Sequence, residues 1–303
     1  MGMARVVVSG ATGLVGSALV RALHARGDTV VVLARDPSRL ALPHEVAFRW
    51  DGLREPPPGE ALAGADALVH LLGEPIAGAR WSPAVKQRIL DSRVRSTGEL
   101  VAALRSSAAR PGALVCASAT GFYGDRGDEE LDEHSAPGDD FLARVCGAWE
   151  AEATAAEQLG VRRVSLRLGV VLARRGGALE RMLPVFRLGL GGRLGHGRQY
   201  FPWIHLDDLV ALLLRAVDDA AWSGPVNAVA PGAATNARFT AALAAALHRP
   251  AILPVPAAAL RLALGEMSTA LLGSQRAVPR RALAAGFAFR FPDLDSALRD
   301  ALA

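Results

Sequence analysis

In the first half of the chain, short runs of aliphatic and β-branched residues alternate with longer amphipathic stretches. The apolar runs predict strands near positions 6–8, 30–33, 67–72, 113–117 and 164–168, with a further strand just before Trp50. The longer stretches predict helices over 16–26, 83–106 and 141–159. Strands that are apolar throughout are typical of a parallel sheet covered by helices on both faces. We therefore predict an α/β fold, a doubly wound parallel sheet of the Rossmann type.

The character of the sequence changes after Leu172. Glycine-rich segments with interspersed arginines cover 174–177 and 189–197, and a strand is predicted at 225–229. The remainder, to Ala303, is rich in alanine and is predicted to be mostly helical. We predict a nucleotide-binding domain over 1–172 and a smaller, mostly helical domain over 173–303. The second is interleaved with the first, whose sheet is completed by parts of 200–230.

Composition and charge narrow the classes of function. The chain has 303 residues and a net charge of +4, with no block of basic residues, so no nucleic-acid partner is expected. No uninterrupted apolar run could span a bilayer and no signal peptide is evident, so we predict a soluble, cytoplasmic protein without a membrane partner. Cys116 and Cys146 lack metal-ligand spacing. They are predicted to be reduced, buried thiols, and no metal site is expected.

Three glycines follow the first strand at the spacing Gly-x-x-Gly-x-x-Gly and open the first helix. The first glycine allows a tight turn, the second a close approach of the backbone to a pyrophosphate, and the third close packing of helix and strand. The helix N-terminus adds free N–H groups for the phosphates. This motif predicts a dinucleotide-binding turn formed by Gly10, Thr12, Gly13, Leu14, Val15 and Gly16.

The end of the second strand bears on the choice between NAD and NADP. An NAD site usually places an acidic residue there, about 20 residues after the glycines, to bind the ribose 2′-hydroxyl. Here Ala34 ends the strand, Arg35 follows, and Arg39 comes one helical turn later. A guanidinium pairs well with phosphate, so these residues predict NADP(H). Asp36 is the competing carboxylate, but Pro37 predicts a turn that directs it away.

Two further segments are expected along the cofactor. Asp51 follows the predicted third strand, where it would either contact the adenine or cap a loop turn, and both readings stay open. Leu71, Leu72 and Gly73 end the fourth strand at the switch point of the sheet. Backbone at this point commonly lies along a bound dinucleotide.

These motifs resemble the extended short-chain dehydrogenases/reductases, and more specifically an atypical branch called "epimerase family protein". The resemblance implies an NADP(H)-binding Rossmann protein with a small family-specific C-terminal part, whose substrate is undefined for most members. It runs from Arg5 to Ala303. It rests on the glycine turn, 70–76, Trp81, Ser92-Arg93, 118–124, Trp149-Glu150, 176–178, 189–192, 199–209, Asn227, Ala230-Pro231 and 234–236.

The chain departs from the usual chemistry of that family. Most short-chain dehydrogenases use a Tyr-x-x-x-Lys pair, in which the lysine lowers the tyrosine pKa for proton transfer. Neither tyrosine here is followed four residues later by a lysine, and the only lysine is Lys86. Aligning Glu150 with the acidic residue that often follows the motif puts Leu142 and Cys146 at the tyrosine and lysine positions. The standard mechanism is therefore absent.

Other polar residues are candidates for the chemistry. Ser118 and Thr120, at the end of the fifth strand, could orient a substrate oxygen. Tyr123 is the best candidate for a proton donor, although a packing tyrosine with its hydroxyl bonded internally is an equal alternative. The glycine-rich segment adds the predicted substrate contacts, which are His196, Tyr200 and Trp203.

We predict an NADP(H)-dependent oxidoreductase or epimerase-like enzyme that acts on an unidentified small polar molecule, with a sugar-derived one as an option. The alternative is a non-catalytic NADPH-binding sensor or scaffold, which the missing Tyr-x-x-x-Lys pair favours. A homodimer is left open.

Overall fold

The computed structural model describes residues 3–303, and within them a seven-stranded parallel sheet forms the centre. The strands are β1 Arg5–Ser9, β2 Thr29–Ala34, β3 Val46–Arg49, β4 Ala67–His70, β5 Ala113–Ala119, β6 Glu130–Leu131, β7 Arg162–Leu168, β8 Val170–Leu172, β9 Tyr200–Phe201, β10 Trp203–His205, β11 Gly224–Ala228, β12 Ala234–Thr235 and β13 Arg276–Ala277. The sheet has the order β11-β7-β5-β4-β1-β2-β3. This order confirms the predicted doubly wound α/β fold.

Helices cover both faces of the sheet. They are α1 Leu14–Ala25, α2 Gly59–Leu62, α3 Pro83–Ser106, α4 Phe141–Thr154, α5 Gly177–Arg187, α6 Leu206–Asp218, α7 Asn236–Ala246, α8 Ala257–Leu264, α9 Thr269–Leu272, α10 Arg280–Ala284 and α11 Leu294–Leu302. Successive strand residues point to opposite faces. Val6 and Val8 therefore pack with α1 and α6, while Val7 packs with α3 and the end of α4. All three valines are fully buried.

The second half of the chain is mostly helical, as predicted, and returns to the first half. Strand β11 lies at the edge of the main sheet beside β7, so residues 224–228 complete that sheet. Near the C-terminus, β13 pairs in parallel with β6, which follows β5 in the sequence. A third cluster of buried apolar side chains joins α5, α7 and α11. The C-terminal part thereby lies against the chain that follows β5.

One predicted helix is too long. The sequence pattern indicates a helix to Leu159, but α4 ends at Thr154 and is followed by a 3-10 turn over Glu157–Leu159. Gly160 then adopts a positive φ of 78°, which ends the segment. The helix predicted over 83–106 has those bounds in the structure, with the Ser82 hydroxyl accepting a hydrogen bond from the Val85 amide at its start.

Within residues 3–303, no helix is both long enough and apolar enough to cross a membrane.

Both cysteines are free and buried, as predicted. Burial raises the pKa of each thiol to about 12, so neither is a reactive thiolate at neutral pH.

Candidate functional site

The glycine turn after β1 has no room for side chains at two of its positions. Gly10 has a φ of 73°, and a Cβ there would lie 2.7 Å from the carbonyl carbon of Leu71. A Cβ on Gly16 would lie 2.2 Å from the Gly10 carbonyl oxygen. Both contacts are with backbone, which cannot move aside without disrupting the β1–α1 connection. The sequence therefore requires glycine for a turn of this shape.

The start of α1 is left without a side-chain partner. Gly13 is the N-terminal cap residue and supplies no capping side chain, and no acidic residue lies in the first turn. Thr12 and Gly13 are exposed, while Leu14 and Val15 are half-buried. The first amide groups of a helix need an external acceptor, and an anion supplies it well. The bare helix start beside this tight glycine turn fits the pyrophosphate of a dinucleotide.

At the end of β2, one carboxylate is hydrogen-bonded within its own turn, and two guanidinium groups have no protein partner among residues 3–303. Asp36 Oδ1 accepts hydrogen bonds from the Ser38 amide (3.2 Å) and hydroxyl (2.6 Å), where it caps a 3-10 turn. Arg35 and Arg39 are exposed, and within residues 3–303 their guanidinium groups form neither an ion pair nor a hydrogen bond. Positive charge at the end of β2 is thus available to an anion, while the competing acid is engaged.

The sequence predicts two roles for Asp51, an adenine contact or a cap of a loop turn, and the structure shows it capping the turn. Its Oδ1 accepts from the amides of Leu53 (2.9 Å) and Arg54 (3.2 Å). The amide of Leu53 is the main cause that lowers the pKa of this carboxyl, with the nearby Arg54 charge adding to it. The carboxylate is therefore committed to its own loop.

The segment after β4 connects the glycine turn to helix α3. The Leu71 and Leu72 backbone lines Gly10, as the short distances from a Cβ at Gly10 show. Gly73 lies against the guanidinium of Arg93, whose Cζ would be 3.1 Å from a Cβ at Gly73. A larger residue at Gly73 would displace this guanidinium. The predicted cofactor segment thus ends beside a half-buried cation, the guanidinium of Arg93. No spacing in the sequence marks Arg93 as a site residue.

Ser118 belongs to a buried polar cluster, which argues against its predicted role as a free substrate-orienting hydroxyl. Its hydroxyl donates to Glu150 Oε1 at 2.6 Å, and the residue is only 3% exposed. Glu150 also forms a bidentate ion pair with Arg167, at 2.8 and 2.9 Å. Because the Ser118 proton is held by this carboxylate, the serine helps to position Glu150.

Of the two roles predicted for Tyr123, a proton donor or a packing residue with its hydroxyl bonded internally, the structure shows the packing residue. Its ring is fully buried, and its hydroxyl donates to Asn227 Oδ1 (2.6 Å) and accepts from Arg167 Nη1 (3.0 Å). The carbonyl oxygen of Asp132 lies 2.9 Å away. Burial raises the pKa of this phenol, with Arg167 opposing the change. A hydroxyl so enclosed cannot reach a substrate, which argues against Tyr123 as the proton donor.

Thr120 lies near the substrate-side segment. Its hydroxyl donates to Gln275 Oε1 at 3.2 Å, and the Gln275 backbone amide donates to the Tyr200 carbonyl oxygen at 3.4 Å. Tyr200 is half-buried, with the Arg276 guanidinium 5.5 Å from its ring centroid. Gln275 thus joins two predicted site residues. No sequence signal marked it, because it lies 155 positions beyond Thr120.

The other two predicted substrate contacts have different surroundings. Trp203 is 1% exposed and donates from Nε1 to the Gly232 carbonyl oxygen, so it is a core residue, and this burial argues against its predicted role in substrate binding. The alternation along β10 places its ring inward, which the glycine-rich context concealed. His196 is exposed, and its Nδ1 accepts from the Arg198 amide at 3.0 Å, which closes a local turn.

Leu142 and Cys146 line the same side of the site, one turn apart on α4. A Cβ on Gly121 would lie 3.2 Å from Leu142 Cβ and 3.9 Å from the Cys146 sulfur. Gly121 belongs to the 3-10 turn Thr120–Tyr123 that follows β5. An apolar side chain and a neutral thiol therefore face the residues after β5.

One group of side chains has ligand atoms close enough together for a metal. His205, Asp207 and Asp300 meet this condition within residues 3–303. However, His205 Nδ1 accepts from the Asp207 amide and caps α6, and Nε2 lies 3.2 Å from Asp300 Oδ2. Both ring nitrogens are therefore already used by the protein.

Comparison with known proteins agrees with the fold and shows the family. Residues 6–229 match the NAD dependent epimerase/dehydratase family, and residues 255–301 match a domain of unknown function, DUF1731. The chain belongs to the NAD dependent epimerase/dehydratase family.

One relative and two solved structures are similar to this chain over almost its whole length. "Epimerase family protein MT2273" of Mycobacterium tuberculosis (strain CDC 1551 / Oshkosh) is 42% identical over 98% of this chain and 97% of its own length. The crystal structure of human epimerase family protein SDR39U1 (isoform2) with NADPH has a TM-score of 0.87 and 37% identity, covering 98% of this chain and 99% of the human one. A nucleoside-diphosphate sugar epimerase from Corynebacterium glutamicum has a TM-score of 0.79 and 37% identity, over 99% of this chain and 58% of that one. The resemblance to the epimerase family proteins is thereby confirmed.

Proposed function

We propose that this chain binds NADP(H) along the Gly10–Gly16 turn and acts as an oxidoreductase or epimerase-like enzyme on a small polar molecule. The observation that carries the cofactor preference is at the end of β2. There Asp36 is tied to Ser38, while Arg35 has no protein partner among the described residues. A guanidinium in this state favours a 2′-phosphate over a 2′-hydroxyl. The NADPH in the human relative's structure supports the same preference.

Different residues of the chain would bind different parts of the dinucleotide. The bare start of α1 would hold the pyrophosphate and Arg35 the 2′-phosphate, while Leu71–Gly73 would line the path toward β5. When bound, the nicotinamide supplies hydride transfer. The substrate would then lie between the turn after β5 and the segment from Gly189 to Phe201, which Thr120 and Gln275 bring together.

The proton-transfer step needs a group other than the usual pair. Tyr123 is enclosed, and Leu142 and Cys146 carry neither an acidic hydroxyl nor a positive charge. Tyr200 is half-buried, and its hydroxyl has no hydrogen-bond partner within residues 3–303. Because Gln275 links its backbone to Thr120, Tyr200 is our candidate donor.

The second candidate function is a non-catalytic NADPH-binding sensor or scaffold. One observation favours it: the hydroxyls of Ser118 and Tyr123 are both held by internal partners, so the turn after β5 offers few free proton donors. In this case the dinucleotide would bind without turning over a substrate.

Cofactor preference is tested by calorimetric titration of the cofactor-free protein with NADPH and with NADH. We expect tighter binding of NADPH. The Arg35→Ala protein should lose most of that preference, because only NADPH carries the 2′-phosphate. Equal binding of both dinucleotides by the wild-type protein, or an unchanged preference in the variant, would contradict the assignment.

A measurement of NADPH turnover distinguishes the two proposed functions, enzyme and sensor. NADPH absorbance is followed with a panel of aldehydes, ketones and quinones, using the wild-type protein and Tyr200→Phe. The enzyme predicts steady loss of NADPH with some panel members. Removal of the hydroxyl should slow that loss by at least roughly 100-fold at an unchanged affinity for NADPH. Tight NADPH binding without loss of absorbance for any compound would favour the sensor.

A further inference from the structure

Arg93 places a positive charge between the ends of β4 and β5. It lies on α3, and its guanidinium packs against Gly73, just after β4, with Cζ 3.1 Å from a Cβ built there. On its other side, the guanidinium carbon is 5.2 Å from the centroid of the Trp149 ring on α4. Its charge also acts on the Cys146 thiol and opposes the rise that burial causes in that pKa. Arg93 is therefore close to the position that a lysine occupies in the usual motif.

This guanidinium is held by neutral groups. Its Nη1 donates to the carbonyl oxygens of Glu74 and Ile89, both at 3.1 Å, and lies 3.4 Å from the Ser92 hydroxyl. Within residues 3–303 it forms no ion pair, and Nε and Nη2 donate to no residue. Burial lowers the pKa of Arg93, and Cys146 and Glu74 oppose that change.

Among the described residues, Arg93 differs from Arg167 in having no carboxylate partner. Arg167 is also enclosed, but Glu150 neutralises it through two hydrogen bonds. A half-buried guanidinium with no carboxylate partner carries an uncompensated charge, which costs free energy unless a ligand shares the site. The two unused nitrogens of Arg93 lie on the side of Gly73, and Gly73 continues the Leu71–Leu72 segment that lines the glycine turn.

We infer that Arg93 is a cofactor-binding residue that supplies the positive charge at the nicotinamide end of the site, in place of the missing lysine. This inference rests on the proposed function. Nε and Nη2 would donate to hydroxyl groups of the nicotinamide-side ribose. The oxidised nicotinamide ring carries a positive charge and the reduced ring carries none. A nearby uncompensated guanidinium therefore repels NADP⁺ and favours NADPH.

The test compares the affinities of NADPH and NADP⁺, measured by calorimetry. We expect the wild-type protein to bind NADPH more tightly. Arg93→Gln, which keeps a hydrogen-bond donor and loses the charge, should reduce the ratio of the two affinities by roughly tenfold. Arg93→Lys should keep most of the ratio. The matched control is Arg35→Ala, which should weaken both dinucleotides by the same factor, because both carry the 2′-phosphate.

The outcomes separate this inference from the proposed function. If the wild-type protein binds neither dinucleotide, both fail. If it binds both equally, only the role of Arg93 fails, and this result needs no variant to fold. If Arg93→Gln weakens both ligands by one factor, or neither, Arg93 is structural and the inference is overturned. Circular dichroism of each variant shows that the comparison is made between folded proteins.

Discussion

Arg167 on β7 and Glu150 on α4 form a bidentate ion pair inside the protein, with Nε–Oε1 and Nη2–Oε2 distances of 2.8 and 2.9 Å. The Arg167 side chain is 4% exposed and that of Glu150 12%. The guanidinium also stacks 3.5 Å from the centroid of the Phe122 ring. The pair thus fixes the turn after β5 to both α4 and β7. It holds this part of the site rigid and leaves Arg167 unavailable to a substrate.

Breaking this pair should strongly destabilise the fold. Glu150→Gln leaves the Arg167 charge buried without compensation, and we expect the free energy of unfolding to fall by about 3–5 kcal/mol. Urea unfolding followed by circular dichroism measures it. The control is Glu45→Gln, which removes an exposed partner of Arg5 and should cost about 1 kcal/mol or less. Similar losses in the two variants would show that the Arg167 pair contributes little.

Removing the Tyr123 hydroxyl should affect stability and leave NADPH affinity unchanged. In Tyr123→Phe, Asn227 Oδ1 and Arg167 Nη1 each lose a buried partner. The expected cost is about 1–3 kcal/mol in the free energy of unfolding. Once a substrate is found, its turnover by the folded variant should stay within a few-fold of the wild-type rate. Loss of turnover without loss of stability would restore Tyr123 as the proton donor.

Two glycine-to-alanine changes should differ in their effect on dinucleotide binding, which Gly16→Ala should abolish and Gly147→Ala should leave intact. Gly16→Ala places a methyl group 2.2 Å from the Gly10 carbonyl oxygen, so the turn must distort and dinucleotide binding should be lost. Gly147 lies within α4, and a Cβ there meets nothing within 4 Å. Gly147→Ala should therefore raise stability by about 0.5–1 kcal/mol and leave binding intact. Calorimetric titration with NADPH and thermal unfolding report both effects. A Gly16→Ala protein that binds NADPH normally would contradict the turn as the cofactor site.

The protein should lose stability in mild acid because of His70. Burial lowers the pKa of His70 to about 3, against an ordinary value of 6.5. Ser9 and Ser96 bond to its two ring nitrogens, at 2.6 and 2.9 Å. Between these pH values the unfolded chain takes up a proton that the folded protein does not. The stabilising effect of this neutral ring is therefore complete above pH 6.5 and decreases as the pH falls toward 3.

The slope expected from His70 is about 1.4 kcal/mol for each pH unit below about 6.5. Other groups also titrate in this range, so the measurement compares the wild-type protein with His70→Gln by urea unfolding. The wild-type advantage should shrink by about 2 kcal/mol between about pH 7.5 and about pH 5. A constant difference between the two proteins would show that His70 titrates normally.

The β1–α1 turn and the parallel sheet could be predicted from the sequence because their signals are local. Three glycines at fixed spacing between an apolar strand and a helix specify the turn, and the bounds of α3 follow from its periodicity and from Ser82 at its start. The same local reasoning directs Asp36 away through Pro37, and the structure shows that carboxylate capping its own turn.

The buried polar contacts of the site could not be predicted in this way. Tyr123 meets Asn227, which is 104 positions away, and Thr120 meets Gln275 at 155 positions. Such pairs are fixed by how the C-terminal part packs on the sheet, and no residue spacing encodes them. Ser92-Arg93 is part of the family resemblance, but the place of Arg93 at the site could not be predicted, since on α3 it is one arginine among several and only its contact with Gly73 shows where it lies.

A crystal structure of this protein grown with NADPH would show the proposed cofactor site itself. We expect the pyrophosphate at the amide groups that begin α1 and the 2′-phosphate at the Arg35 guanidinium. The nicotinamide end should lie toward Gly73 and the turn Thr120–Tyr123. Electron density for the dinucleotide elsewhere, or a 2′-phosphate turned away from Arg35, would contradict the site proposed for this chain.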